Sequence, residues 1–275
     1  MFDTTTKYHR LRVTENAGVR LLRLDRSPQS SMKVDDPFDT DFEYPQYLHL
    51  ALALNPTASR TLVIGLGGGT VVKQMWSAYP DMRIDAVEID LAVVDVARRF
   101  FELPDDERVR VFVGDGREFI ETSAETYDVV ILDAYDDDRI PYHLTTRQFL
   151  EAVRTRLTPD GVAAYNVIGS LDGDWSKPFR SLHRTMGMVW RRVVVFAVGI
   201  GSDPRRGEIR NIILLGTDAI VDDDELLKNI RTRANGRVLL PGFEDLAEDH
   251  YSRGIRGGDV AVLEDRRGPR SRRRH

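Results

Sequence analysis

Residues 61–70, with the sequence TLVIGLGGGT, decide how this chain folds. Apolar residues typical of a strand lead directly into a glycine run: Gly65, Gly67, Gly68 and Gly69. Glycines let the backbone turn sharply and let a ligand approach closer than a Cβ atom would permit. A helix that starts beyond such a turn adds free N–H groups. The segment therefore predicts a strand, a nucleotide-binding turn and a helix, although a glycine turn made only for packing has the same local pattern.

The rest of the chain repeats this alternation of short apolar runs and helical patterns. Helical segments near 70–79, 91–101, 116–123 and 145–157 separate the first five runs, and strands covered by crossover helices on both faces lose their polar alternation. No helical pattern separates the last two runs, which predicts an antiparallel hairpin at one sheet edge. The fold class is therefore α/β, a Rossmann-like S-adenosylmethionine-dependent methyltransferase fold with a central, mostly parallel seven-stranded sheet. Its predicted strands are 61–66, 83–89, 109–114, 127–132, 161–168, 191–198 and 209–215.

The residues before this sheet predict a small N-terminal β-element. Extended runs lie on both sides of a turn signal at residues 16–18, and residues 44–54 have apolar spacing typical of a helix that ends at Asn55-Pro56. We divide the chain into three parts. They are a β-element with an acidic linker (1–43), a nucleoside-binding domain (44–235), and a C-terminal segment with a disordered arginine-rich tail (236–275).

Composition narrows the class of protein. The chain has 275 residues and no cysteine, which excludes disulfides and thiolate chemistry. Its net charge is -5, and residues 266–275 contribute six arginines to it. The net charge of the preceding residues is therefore more negative than -5. An acidic body favours small cationic substrates and makes nucleic acid an unexpected partner apart from the tail. No apolar run is long enough to span a membrane, and the first residues lack a secretory pattern, so we expect a cytoplasmic protein.

Two acidic residues follow the next two predicted strands. Glu88 ends the second strand, 19 residues after Gly69, where an acid can accept hydrogen bonds from both ribose hydroxyls. Asp115, followed by Gly116, ends the third strand, where it can accept a hydrogen bond from an adenine amino group or cap the next helix. The neighbouring Asp90 is expected to cap a helix that begins at residue 91. Together with Gly65, Gly67 and Gly69, these residues predict a nucleoside site; NAD fits less well because the dehydrogenase glycine pattern is incomplete.

A third group of acids follows the fourth strand. Asp133 ends that strand and opens a loop that also holds Asp136, Asp137 and Asp138. Crowded carboxylates repel one another, which raises a pKa or attracts a cation. Beside a sulfonium nucleoside, Asp133 could hold a protonated amine and take its proton. The alternative is a solvated acidic loop. We predict no metal site, because no histidine stands at ligand spacing.

These motifs together resemble the spermidine synthase family of polyamine aminopropyltransferases. The likeness extends from about residue 8 to residue 169 and is firmest over residues 61–133. The resemblance implies decarboxylated S-adenosylmethionine as the donor, bound at its ribose by Glu88 and at its adenine by Asp115. It also implies Asp133 as the base toward putrescine, Asp136 and Tyr44 as substrate-binding residues, and a homodimer.

The sequence departs from the family at several of these positions. Gly68 stands where the family has an aspartate that binds the donor's amine, and the family's Asp-Ser-Ser-Asp-Pro reads DAYDD from Asp133. Loss of that aspartate removes a group that would distinguish the decarboxylated donor from S-adenosylmethionine. The chain therefore resembles a divergent, spermidine synthase-like branch. Aminopropyl transfer is the first hypothesis; a methyltransferase and a nucleoside-binding protein without turnover are the alternatives.

Overall fold

The computed structural model describes residues 1–136 and 139–265 of the chain. The strands are β1 (Phe2–Thr5), β2 (Arg10–Asn16), β3 (Val19–Leu24), β4 (Ser27–Lys33), β5 (Arg60–Ile64), β6 (Arg83–Glu88), β7 (Val109–Val113), β8 (Tyr127–Leu132), β9 (Leu157–Gly169), β10 (Arg192–Ala197) and β11 (Arg210–Thr217). The helices are α1 (Tyr44–Leu48), α2 (Ala51–Leu54), α3 (Thr70–Ala78), α4 (Leu91–Phe100), α5 (Gly116–Thr122), α6 (Arg147–Thr155), α7 (Lys177–Met186), α8 (Asp223–Arg231) and the kinked turn α9 (Arg233–Gly236). The predicted tail, Asp137 and Asp138 lie outside the described residues.

The central sheet confirms the predicted fold class. Its seven strands run in the order β10-β11-β9-β8-β5-β6-β7. The pairs β5–β6, β5–β8, β6–β7 and β8–β9 are parallel, whereas β11 is antiparallel to both β9 and β10. The last two strands therefore form the expected antiparallel hairpin at one edge. The strand order reverses between β5 and β8, and in open α/β sheets a ligand crevice lies at the carboxyl ends of the strands at such a reversal.

The N-terminal β-element is a complete four-stranded sheet in the order β1-β2-β3-β4, in which neighbouring strands are antiparallel. The apolar face of this sheet packs on α4 and on Phe101, the residue that follows α4. The buried cluster contains Leu11, Val13, Leu22 and Met32 from the sheet, and Val93, Val96 and Phe101 from the helix and its end. The strand β1 lies outside the extended region that the sequence predicted. It pairs through its backbone, and its side chains alternate between half-buried and exposed.

Several helices differ from the predicted ones. Asp90 caps α4 through a hydrogen bond from Ala92 N (3.0 Å), as expected. The helix predicted over residues 44–54 is instead two short helices, because the junction at His49 and Leu50 uses hydrogen bonds of the i to i−3 type. The helices α7 and α8 were not predicted. Residues of α8 and of the segment after it pack in the same apolar cluster as β5 and β9, including Leu226, Ile230, Val238 and Phe243. The three-part division of the chain stays a prediction.

Candidate nucleoside and transfer site

A cavity of about 350 Å³ lies at the carboxyl ends of β5, β6, β7 and β8. It brings together eight of the nine predicted site residues: Tyr44, Gly65, Gly67, Glu88, Asp115, Gly116, Asp133 and Asp136. The N-terminal sheet and the loop between its strands β1 and β2 close one side of it, and the segment after β8 closes another. The residues from these two regions include Lys7, Tyr8, His9, Gln29, Ser30, Pro141 and His143.

The glycine loop needs glycine for two different reasons. Gly65 has φ +95°, and a Cβ atom there would lie 2.4 Å from the carbonyl oxygen of Asp133. Close contact between the loop and the backbone after β8 therefore excludes any side chain at residue 65. Gly69 is the one predicted site residue that does not line the cavity. It precedes α3 with φ +76°, and a Cβ atom there would meet Leu103 at 2.7 Å, so conformation and packing account for this glycine.

Glu88 is held by backbone donors at the end of β6. One carboxylate oxygen accepts a hydrogen bond from Leu66 N and the other from Asp90 N, both at 3.0 Å. Burial raises the pKa of Glu88, although these backbone donors oppose the effect. Each carboxylate oxygen has two lone pairs, so one on each oxygen remains for a ligand that offers hydroxyl donors.

Asp115 has two structural partners in addition to its place in the cavity wall. Oδ1 accepts hydrogen bonds from Arg117 N (2.8 Å) and Glu118 N (3.0 Å), which makes Asp115 the N-cap of α5. Oδ2 lies 2.9 Å from Nε2 of His143. Burial acts to raise the pKa of Asp115, but the hydrogen bonds from Glu118 N and His143 outweigh it, and the pKa is lowered. The helix-cap alternative is thus observed, and an adenine amino group would share Oδ2 with His143.

Asp133 is the most enclosed of the cavity carboxylates. Its Oδ2 accepts a hydrogen bond from the Tyr44 hydroxyl (3.0 Å) and its Oδ1 accepts one from Asn166 Nδ2 (2.9 Å). Burial raises the pKa of Asp133 to about 6, and the two hydrogen bonds limit the rise. Burial and the adjacent carboxylate raise the pKa of Tyr44 as well, so its hydroxyl stays protonated and remains a donor. A carboxylate in this state is ionised at neutral pH and close to the range in which it can accept a proton.

Asp136 lies in the loop after β8. Its backbone N–H donates to Arg139 O (2.8 Å). The side chain is exposed and lines the cavity. It is therefore placed to contact a ligand that reaches beyond Asp133.

The space beside Gly68 is filled by the N-terminal sheet and by the residue that ends α4. Gly68 N donates to Ser30 Oγ (2.8 Å). A Cβ atom at residue 68 would lie 2.9 Å from both Ser30 Cβ and Phe101 Cδ1. No motif pointed to Ser30, because its contact with the loop joins residues 38 positions apart. Asn166 was also missed, since one asparagine inside an apolar strand gives no pattern.

Residues 1–136 and 139–265 lack two kinds of feature. In this part of the chain, no cluster of three or more histidine, cysteine, aspartate or glutamate side chains is arranged to hold a metal ion. None of its helices is both long enough and apolar enough to span a bilayer.

The fold and the cavity define a class: a Rossmann-like α/β domain that carries acids at three successive strand ends beside a glycine turn. The comparisons with known proteins are more specific. Residues 42–167 match the family model described as the spermine/spermidine synthase domain. The resemblance of this part of the chain to that family is confirmed.

Individual relatives agree with the family match. The chain is 37% identical over 141 residues to the polyamine aminopropyltransferase of Vibrio vulnificus, a match that covers 49% of this chain and 47% of that protein. The chain thus spans about half the length of this curated relative.

Solved structures show the same fold. A probable spermidine synthase from Corynebacterium glutamicum aligns over 97% of both chains with a TM-score of 0.75 and 20% identity. Human methyltransferase-like protein 13, solved in complex with SAH, aligns over 80% of this chain and 97% of its own, with a TM-score of 0.58 and 24% identity. The fold is therefore one that spermidine synthases share with methyltransferases.

Proposed function

We propose that this protein transfers an aminopropyl group from decarboxylated S-adenosylmethionine to an amine such as putrescine. The observation that carries the proposal is Asp133, a carboxyl group in the cavity whose two oxygens accept hydrogen bonds from the neutral side chains of Tyr44 and Asn166. The relatives named polyamine aminopropyltransferase support the reaction class, and residues 42–167, which match the family model, include the whole glycine turn and Asp133.

The cavity residues fit the parts of an adenosyl sulfonium compound. The free lone pairs of Glu88 would accept hydrogen bonds from the two ribose hydroxyls, and Oδ2 of Asp115 would accept one from the adenine amino group. Gly65 and Gly67 would let the nucleoside approach the backbone. Asp136 would contact the second ammonium group of a diamine.

In the proposed reaction, Asp133 accepts one proton. The amine nitrogen attacks the aminopropyl carbon that is bonded to sulfur, so a C–N bond forms and the C–S bond breaks. The C–S electron pair stays on sulfur, which leaves as the thioether methylthioadenosine. The proton on the amine passes to Asp133, whose pKa of about 6 keeps it ionised at pH 7. Tyr44 keeps the carboxylate directed into the cavity.

Mass spectrometry tests the proposal directly. The purified protein, incubated with decarboxylated S-adenosylmethionine and putrescine, should release methylthioadenosine and spermidine. Asp133→Asn should lower the rate by about 10²-fold or more, as loss of a general base does. The matched control is Asp128→Asn at the opposite end of β8, where the carboxylate accepts hydrogen bonds from Ser59 N and Arg60 N and does not line the cavity. Release of no methylthioadenosine with any diamine would contradict the proposal.

One observation favours a second function, methyl transfer from intact S-adenosylmethionine. The loop has no acid at Gly68 to attract the amine of a decarboxylated donor, and Ser30 and Phe101 fill the space beside it. Isothermal titration calorimetry with both donor forms separates the two functions. Tighter binding of the carboxylated form, with S-adenosylhomocysteine as the product, would replace aminopropyl transfer by methyl transfer.

The expected homodimer and the cytoplasmic location stay predictions. Size-exclusion chromatography with light scattering would test the first, and a fluorescent fusion would test the second.

A further inference from the structure

Two asparagines form a chain of hydrogen bonds behind Asp133. Asn166 lies in β9, 1% exposed, and its Nδ2 donates to Asp133 Oδ1 at 2.9 Å. Asn211 lies in β11, and its Nδ2 donates to Asn166 Oδ1 at 2.8 Å. Because Ile213 is the register partner of Asn166, Asn211 is the diagonal neighbour of Asn166 on the same face of the sheet. The two side chains therefore belong to a single line that ends at the carboxylate.

This line has a direction. A carboxamide has donors on one atom and acceptors on the other, so the hydrogen bond that Asn211 donates to Asn166 Oδ1 favours the orientation in which Asn166 Nδ2 faces Asp133. If the Asn166 amide turned by half a rotation while Asn211 stayed in place, the NH2 groups of the two asparagines would face each other. The Asn166 oxygen would then face the Asp133 carboxylate. In the observed orientation, Asn166 Nδ2 faces Asp133 Oδ1, so Asp133 must accept a hydrogen bond there. An ionised carboxylate does so better than a carboxylic acid.

We propose that Asn166 and Asn211 are positioning residues, which together keep the Asp133 carboxylate ionised and directed into the cavity. The effect of the pair on catalysis rests on the proposed function, because it matters there only if Asp133 is the base. Its effect on the protonation of Asp133 concerns the protein alone and can be measured without any substrate.

Other groups near Asp133 stay the same in the variants that test this pair. The Tyr44 hydroxyl donates to its second oxygen, and the Tyr135 hydroxyl donates to Asn166 O (2.8 Å) rather than to the carboxylate. Further titratable side chains line the same cavity: Lys7, Tyr8, His9, Glu88, Asp115, Asp136 and His143. A difference between variants at Asn166 or Asn211 therefore reports the amide pair.

Carbon-13 NMR of protein labelled at aspartate carboxyl groups gives the titration midpoint of Asp133, with Asp133→Asn identifying the signal. We expect Asn166→Leu to raise this midpoint by about one pH unit, because it removes the donor. Asn211→Leu should raise it by less, since it removes only the group that fixes the amide. Asn229→Leu is the matched control, because Asn229 Nδ2 donates to Ala53 O (2.9 Å) away from the cavity. Midpoints equal to that of wild type in both Asn166→Leu and Asn211→Leu would overturn the proposal.

The Asn211→Asp variant gives a second, sharper test. A carboxylate at residue 211 accepts instead of donating, so the Asn166 amide should turn and present its oxygen to Asp133. We expect this variant to raise the midpoint more than Asn211→Leu does, and an unchanged or lower midpoint would count against a directed line. Thermal unfolding of each variant identifies any that does not fold, and Asn211, which is only half-buried, keeps the test available if Asn166→Leu is such a variant.

The pH dependence of kcat separates this inference from the proposed function. If Asp133 is the base, the acid limb of the profile should move with the NMR midpoint, while KM for the donor stays within about twofold. If the NMR midpoint of Asp133 moves while the pH profile of kcat does not, the inference about the two asparagines holds and Asp133 is not the base. A merely structural role of the asparagines would change the unfolding temperature and leave both profiles in place.

Discussion

Replacing Asp133 by asparagine should stabilise the protein at neutral pH, although it removes the proposed base. Burial raises the pKa of this carboxyl group from 3.8 to about 6 in the folded chain. The folded state therefore binds the proton more tightly than the unfolded state, and stability is lost as the pH rises from about 4 to about 6. One pH unit of pKa difference corresponds to about 1.36 kcal/mol, so the full loss is about 3 kcal/mol. Asparagine has no such group.

The hydrogen bonds at the site reduce this gain only in part. An asparagine at residue 133 can accept from Asn166 Nδ2 with its oxygen and donate to the Tyr44 hydroxyl oxygen, so neither neighbour loses its partner. We expect Asp133→Asn to be about 1–3 kcal/mol more stable than wild type at pH 7. Near pH 4, where the wild-type carboxyl group is protonated in the folded chain, the gain should disappear.

Urea unfolding of both proteins at pH 4, 5, 6, 7 and 8 measures the difference in the free energy of unfolding. This difference should grow through the window from about pH 4 to pH 6 and stay constant above it. Asp115→Asn is the control, and its effect on the free energy of unfolding should have the opposite sign, because the pKa of Asp115 is lowered rather than raised. Asparagine retains the helix cap at this residue. The loss of stability in Asp115→Asn should develop below the ordinary aspartate pKa of 3.8 and should be constant from about pH 5 to pH 8. A difference for Asp133→Asn that is independent of pH, or that favours wild type more as the pH rises, would refute the reasoning.

Three further changes have expected outcomes. Gly65→Ala should destabilise the protein by about 1–3 kcal/mol in urea unfolding and abolish nucleoside binding, because its Cβ atom would collide with the Asp133 backbone and its φ of +95° disfavours a side chain. Lys73→Met should be more stable than wild type at pH 7 and should lack the wild-type gain in stability between pH 8 and about 10.5, since burial lowers the pKa of Lys73 to about 8. Glu88→Gln should weaken binding of methylthioadenosine about tenfold in calorimetry, because an amide can no longer accept on both sides, and it should lower the unfolding temperature, because its Nε2 would face the N–H donor of Leu66 or Asp90.

The sequence predicted best the features that repeat along the chain. Each buried strand of the central sheet is a short apolar run, so the hydrophobic effect marks it locally, and the terminal hairpin followed from the missing helix between two such runs. The helix α7 was not predicted, although Phe179, Leu182 and Met186 have the i, i+3, i+7 spacing of an amphipathic helix and bury its apolar face. Acids at strand ends could also be predicted, because parallel strands bring their carboxyl ends to one edge.

Features that depend on contacts between distant parts of the chain could not be predicted. The partners of Asp133 come from α1 and β9, and Asn166 is in turn fixed by Asn211 from β11. Each of these residues is ordinary in its local sequence. Only the register between β9 and β11 shows that the two asparagines are neighbours, and register is a property of the folded sheet.

The N-terminal sheet contacts the glycine turn directly. Ser30 accepts a hydrogen bond from Gly68 N, and the Thr6 hydroxyl donates to Asp90 Oδ2 at 2.5 Å, so two strand ends of the central sheet are tied to the N-terminal one. An aspartate at residue 68 would need both Ser30 and Phe101 to move, since its Cβ atom would lie 2.9 Å from each. The packing of this sheet against the loop therefore opposes an acid at residue 68. Restoring the family's acid by Gly68→Asp alone should destabilise the protein before it changes which donor is bound.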